Sequence, residues 1–264
     1  MNVIELSAVD LGIAALLVVV LAATSMVMSL GVEKKILLYS CRMTAQLLLV
    51  GLILRYLFSN ASGWLVILMS LVMLAAAGRE VQARQKRKVR GWNGYMIGTS
   101  AMFISSFSIA LLALTVIIQV KPWYTPQYAV PLLGMLLGNT MTGVSLSIDM
   151  LVSQLYEKHT IVEQRLMLGQ EWQEASSDIR RDAMRNGMMP IVNSMAAAGL
   201  VSLPGMMTGQ ILGGTPPVEA VKYQILIMFL IAAGTGFGVI TAIGLTARHL
   251  FDKRHRLRLE LISQ

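Results

Sequence analysis

Charge is scarce in this sequence: 14% of its 264 residues are Asp, Glu, Lys or Arg, against 55% that are apolar. A soluble domain usually carries about 25% charged residues, so too little charge is present to clothe a water-soluble core. The mean hydropathy of +0.65 agrees. A single cysteine, Cys41, excludes an internal disulfide, and within an apolar run it reads as a small buried hydrophobe. The apolar stretches hold no cluster of His, Cys and carboxylates at metal-ligand spacing, so no tight metal site is legible. No G-x-x-x-x-G-K-[ST] occurs, which excludes a loop built to cradle ATP phosphates. Catalytic triad, cofactor fingerprint and nucleophile elbow are missing as well, so the chain is expected to be no enzyme on its own and to bind no cofactor. A cleavable signal peptide is not expected either. Glu5 and Asp10 stand where a basic n-region would be, and the apolar stretch that follows is too long for an h-region.

What is present is a series of long apolar runs. Spanning the hydrocarbon takes roughly 20 apolar residues. The runs predict an all-α polytopic membrane protein with about seven spans: Asp10–Leu30, Ile36–Phe58, Trp64–Gly78, Tyr95–Val120, Tyr128–Val152, Pro190–Leu212 and Val221–Ala247. The third is short and the sixth is interrupted by Pro204-Gly205. No second domain, repeat or low-complexity tract is evident.

The net charge of +8 would suit nucleic acid, but its distribution argues for membrane topology. All but four of the 22 basic residues fall on alternate loops. Lys34 and Lys35 follow span one, and Arg79, Arg84, Lys86, Arg87, Lys88 and Arg90 follow span three. Lys158, Arg165, Arg180, Arg181 and Arg185 follow span five; Arg248, Lys253, Arg254, Arg256 and Arg258 follow span seven. The opposite loops hold only Lys121 and Lys222, and Arg42 and Arg55 lie within span two. The positive-inside rule then puts the N-terminus outside and the C-terminus in the cytosol.

The loop Ser153–Met189 is too long to be a simple connector. Its charged, helix-forming stretch Glu163–Arg185 is broken at Gly169, and Ser176, Ser177 and Asp178 give a second helix start. Leu166, Trp172, Ala175, Ile179 and Met184 fall on one face of two short helices. Such a segment rests on the bilayer, is simply a solvated loop, or docks into a groove on a cytosolic partner; its mixed charge suits anionic lipid poorly and favours docking.

Ionisable groups in spans are costly and point to function. Arg42 and Gln46 share a face of span two, where Arg42 either snorkels to the interface or faces the bundle. On span five, Met135, Asn139, Thr142, Ser145 and Asp149 recur at helical spacing as a polar stripe ending in a carboxylate. That stripe serves either interhelical packing or a cation path open to the cytosol. Arg42 and Asp149 fall at similar depth and are expected to pair. The interrupted span frees backbone carbonyls beside Met206, Met207, Thr208 and Gln210, a recurring device in transporters. Nineteen methionines are chiefly space-filling, although thioethers also suit soft cations. Gly234 and Gly238 allow close helix packing, within the chain or at a dimer face.

The charged helix, glycine and second helix before Pro190 resemble the coupling-helix region of ABC-transporter permeases. "RMTAQL" (Arg42–Leu47), "PLLGMLLGNTMTG" (Pro131–Gly143) and "GLVSLPGMMTGQILGG" (Gly199–Gly214) resemble, more specifically, the Fet-type iron-exporter permeases, to which the plant aluminium-tolerance permeases are related. The resemblance runs through nearly the whole chain. It implies a homodimeric permease of the bacterial inner membrane that exports metal with ATP and Mg bound by a separate cytosolic ATPase. The coupling residues would then be Glu163, Arg165, Leu166, Gly169, Glu171, Trp172, Glu174 and Ile179. A stand-alone cation carrier using Asp149, or a membrane scaffold that recruits a cytosolic partner, are the alternatives.

Overall fold

The computed structural model describes residues 7–60, 62–252 and 254–262; Glu5 of the signal-peptide argument and Lys253 of the topology argument lie outside them. Among the described residues the chain is helical, with only isolated β-bridges. Among the described residues, six helices are long and apolar enough to cross a membrane. The protein is a polytopic all-α membrane protein.

Two compact units form. The first, residues 1–61 with 212–214, contains the hairpin of α1 (Ala8–Val27) and α2 (Glu33–Ser59). A capping box starts α1: the Asp10 N–H donates to the Ser7 hydroxyl, and the Ser7 N–H donates to the Asp10 carboxylate. Both helices are apolar nearly all round and leave most of those side chains exposed, the pattern of helices solvated by lipid.

The second unit is built around α6 (Pro126–Glu157), which packs against α3 (Gly63–Arg84), α4 (Trp92–Met102), α9 (Ser177–Ala197) and α11 (Pro217–Leu250). Beyond α4 the fourth span continues through a π-helical turn (Phe103–Phe107), α5 (Ser108–Leu112) and a second π-helical turn (Ala113–Ile117). The third span outruns its apolar stretch, because α3 continues past Gly78 to Arg84 and carries a Glu80–Arg84 pair on its last turn.

Glycines set the crossing of α9 on α6. A Cβ on Gly187 would lie 2.7 Å from the Gly143 carbonyl oxygen, and one on Gly143 would lie 2.8 Å from that of Gly187. The backbones of α9 and α6 therefore touch, as small residues permit between membrane helices. A Cβ on Gly238 of α11 would lie 2.5 Å from the Thr140 methyl and 2.9 Å from the Ser105 hydroxyl, and one on Gly234 would lie 3.2 Å from Leu136. Both glycines of the small-xxx-small pair are spent inside the unit, not at a dimer face.

The sixth expected span differs most. Instead of starting at Pro190, α9 begins at Ser177 and runs through Pro190 to Ala197. Ile179, Ala183, Gly187 and Ile191 form one buried row at four-residue spacing, and this packing outweighs the proline's local cost of about 3 kcal/mol. The break comes later, at residues 198–204, before α10 (Gly205–Leu212).

Candidate functional site

Both ends of α9 carry an interruption of the chain. At its N-terminal end, α7 (His159–Met167) and α8 (Trp172–Ala175) are joined by a turn through Gly169, whose φ of 91° is the left-handed region that favours glycine. The turn is held from several sides. The Arg165 guanidinium spans both carboxylate oxygens of Asp178, at 2.9 and 3.1 Å, and also donates to the Ala175 carbonyl. That hydrogen bond from Arg165, reinforced by its charge, holds the Asp178 carboxyl below the usual carboxylate range. The Arg180 guanidinium lies over the Trp172 ring, 5.3 Å from its centroid, and that ring also stacks on Phe251, 5.5 Å between centroids. The Trp172 backbone N–H donates to Nδ1 of His255. The segment after α11 thus braces α8, and it also ties down the α3–α4 loop: the Arg90 N–H donates to the Leu261 carbonyl, and Val89 bridges Ile262.

This bracing leaves Met167 at 78% and Leu168 at 85% exposure on top of the turn. Glu163, Gly169, Glu171 and Glu174 are also exposed, whereas Arg165, Leu166 and Trp172 are half-buried. Ile179 is buried in the α9 core row and anchors the segment instead of facing outward. The sequence reading passed over Met167 and Leu168. Their signal was an apolar pair directly before a break glycine, out of register with the buried face.

At the other end of α9, Gly199 repeats the left-handed turn with φ 89°. The Gly199 N–H donates to the Ser202 carbonyl, while Leu200 and Val201 are 94% and 88% exposed. The break borders a cavity of about 540 Å³, lined by Met135 and Asn139 of α6, Asn193 and Ser194 of α9, Ser202, Pro204, Gly205 and Met206, and Gln224 and Met228 of α11. Its lining is neutral: three thioethers, three amides and two hydroxyls among apolar walls, with no carboxylate. The Gln224 side chain is buried and its Oε1 has no hydrogen-bond partner among the described residues. A buried acceptor left unpaired is costly, and this one belongs to a residue of the cavity lining.

Of the residues expected on a transport path, Met135, Asn139 and Met206 line this cavity together. The others do different things. The Thr142 hydroxyl donates to the Gly138 carbonyl, and Ser145 is buried in the helix packing. Met207 is buried, the Thr208 hydroxyl donates to the Pro204 carbonyl, and Gln210 is half-buried with Oε1 unpartnered among the described residues. Asp149 accepts the Lys86 N–H at 2.6 Å, fastening the α3–α4 loop to α6. Arg42 and Gln46 stand on α2 in the first unit, and the pairing of Arg42 with Asp149 stays an expectation from sequence. Asn193, Ser194, Gln224 and Met228 were missed. Gln224 is a lone amide in an apolar helix and has no periodic partner to announce it. Among the described residues, no three His, Cys, Asp or Glu side chains gather as a ready-made metal site.

Comparison with known proteins follows the same outline. A UPF0014 membrane protein of Synechocystis is 38% identical over 219 residues, 82% of this chain and 83% of its own. The probable iron export permease protein FetB of Escherichia coli is 33% identical over 257 residues, 97% of each chain. The protein ALUMINUM SENSITIVE 3 of Arabidopsis thaliana is 33% identical over 252 residues, 95% of this chain and 90% of its own. No solved structure matches. Residues 8–251 match the uncharacterised protein family UPF0014, and the chain belongs to that family of membrane proteins.

Proposed function

We propose that this chain is the membrane-spanning permease of an ABC exporter, carrying metal cations, iron among them, out of the cytosol with ATP hydrolysed by a separate subunit. The observation that carries the reading is the braced, exposed Met167–Leu168 turn at one end of α9, with the neutral cavity at the other end. An apolar pair projecting from a rigid, charged surround has the form of an anchor for a partner's pocket. The N-terminus is outside and the C-terminus inside, so this turn faces the cytosol of a bacterial cell, where ATP and Mg bind the partner. Two copies of the chain work with two ATPase subunits. The name of the E. coli relative supports iron as the cargo.

In this reading α9 is the connecting rod. Partner closure pushes on the α7–α8 turn, and α9 pivots where Gly187 meets Gly143. Its far end then moves the 198–204 break, which opens or closes the cavity. The partner's binding energy works by stabilising one of two states over the other. A neutral lining suits export, because amide oxygens and thioethers hold a cation weakly enough to let it go.

Affinity capture of the detergent-solubilised chain from its native membranes, followed by ATPase assay and mass spectrometry, tests the reading. The wild type is expected to bring down a nucleotide-binding subunit, and a Met167→Ser, Leu168→Ser variant to lose it while keeping its fold. Absence of any ATPase under gentle solubilisation would sink the proposal.

A further inference from the structure

A groove of about 630 Å³ lies between α3 and the start of α4, away from the cavity described above. Its floor is apolar, made by Val72, Ala75 and Ala76, and its rim carries Arg79, Trp92 and Tyr95. The walls are fixed. The Tyr95 hydroxyl donates to the Ala75 carbonyl, and Gly78 lets α4 press onto α3 at this level. The Gly91 φ of 80° turns the chain into α4 so that Trp92 stands 72% exposed beside the Tyr95 ring, 5.0 Å between centroids.

Arg79 makes no ion pair or hydrogen bond through its side chain among the described residues, while Arg84, five residues on, is paired with Glu80. An unpaired guanidinium above an apolar floor, edged by an indole and a phenol, matches the two ends of one kind of ligand. Trp and Tyr sit at headgroup level in membrane proteins, Arg pairs with phosphate through planar, bidentate hydrogen bonds, and the floor suits an acyl chain. Lys86 and Arg90 continue from the same helix end and add positive potential.

We propose that this groove is a binding site for one anionic phospholipid, its phosphate on Arg79 and one acyl chain along Val72, Ala75 and Ala76. The site does not depend on the transport reading. It would hold the α3–α4 junction in register with the leaflet that the basic end of the unit faces.

The test is native mass spectrometry of the full chain released from micelles containing equal amounts of phosphatidylglycerol and phosphatidylcholine with matched acyl chains. The wild type is expected to retain phosphatidylglycerol at least about five-fold over phosphatidylcholine, the selectivity of one interfacial cation. Arg79→Gln is expected to abolish most of that preference, and Arg84→Gln, which removes the same charge outside the groove, to leave it within about two-fold. Ala76→Phe fills the floor and is expected to lower retention of both lipids. Equal losses in the two arginine variants would mean diffuse attraction and overturn the site, as would a wild type without preference or an Arg79→Gln variant that keeps it.

Discussion

The two interruptions flanking α9 are alike in sequence logic and unlike in support. Each places a glycine in the left-handed region, φ 91° at Gly169 and 89° at Gly199, and each exposes two adjacent apolar side chains. The first is gripped by an ion pair, a ring stack and a hydrogen bond from another segment of the chain. The second is held by a few bonds of its own backbone and opens onto a cavity. A turn that must transmit force to a partner has to be stiff, and one that must admit a cargo has to yield. In the proposed mechanism the contrast separates a docking element from a gate along one helix.

The comparison breaks most completely where the two ends are joined. Gly187→Val drives a branched side chain into the Gly143 backbone, and is expected to cost about 3 kcal/mol in stability through overpacking. Thermal unfolding in detergent and loss of transport both read it. Next, Leu168→Glu leaves stability unchanged but is expected to weaken ATPase association by about 2 kcal/mol, roughly thirty-fold, as loss of an anchor residue does. A binding titration with the purified partner measures it. At the gate, Gly199→Ala forces a Cβ into the left-handed region and is expected to cost about 1 kcal/mol. That loss should appear as faster hydrogen exchange at 198–204, with the α7–α8 turn unaffected.

The smallest effect sharpens the contrast by pH. The Asp178 carboxyl is held below its ordinary range by Arg165, so their bond contributes stability above the unfolded carboxylate value. That contribution disappears as pH falls through the lowered native value. The pair is partly exposed, so Arg165→Gln should cost only about 0.5 kcal/mol at neutral pH and nothing in acid. Unfolding measured against pH would show the two curves converge at the acid end.

The chain shows which kinds of information a sequence carries openly. Helices α1 and α2 are legible because hydrocarbon asks only for length and apolarity. The break at Gly169 and the helix start near Ser177 are legible because local backbone chemistry sets them. Pro190 misleads for the opposite reason: the contact of Gly187 with Gly143 is a property of two helices, invisible along one. The polar stripe on α6 is seen as a unit in sequence and then divided by its neighbours. Asn139 reaches the cavity, Ser145 enters the packing and Asp149 fastens a loop. Gln224 becomes meaningful only once α11 is laid beside the break.

The central claim is that the chain moves metal only when a partner closes on the α7–α8 turn. Its most direct test is iron(II) flux through proteoliposomes containing the purified chain, with and without the ATPase subunit and ATP. The account predicts flux with wild-type chain, partner and ATP together, and none from the chain alone or from Leu168→Glu with partner and ATP. Flux from the chain alone would contradict it and make the protein a self-sufficient carrier.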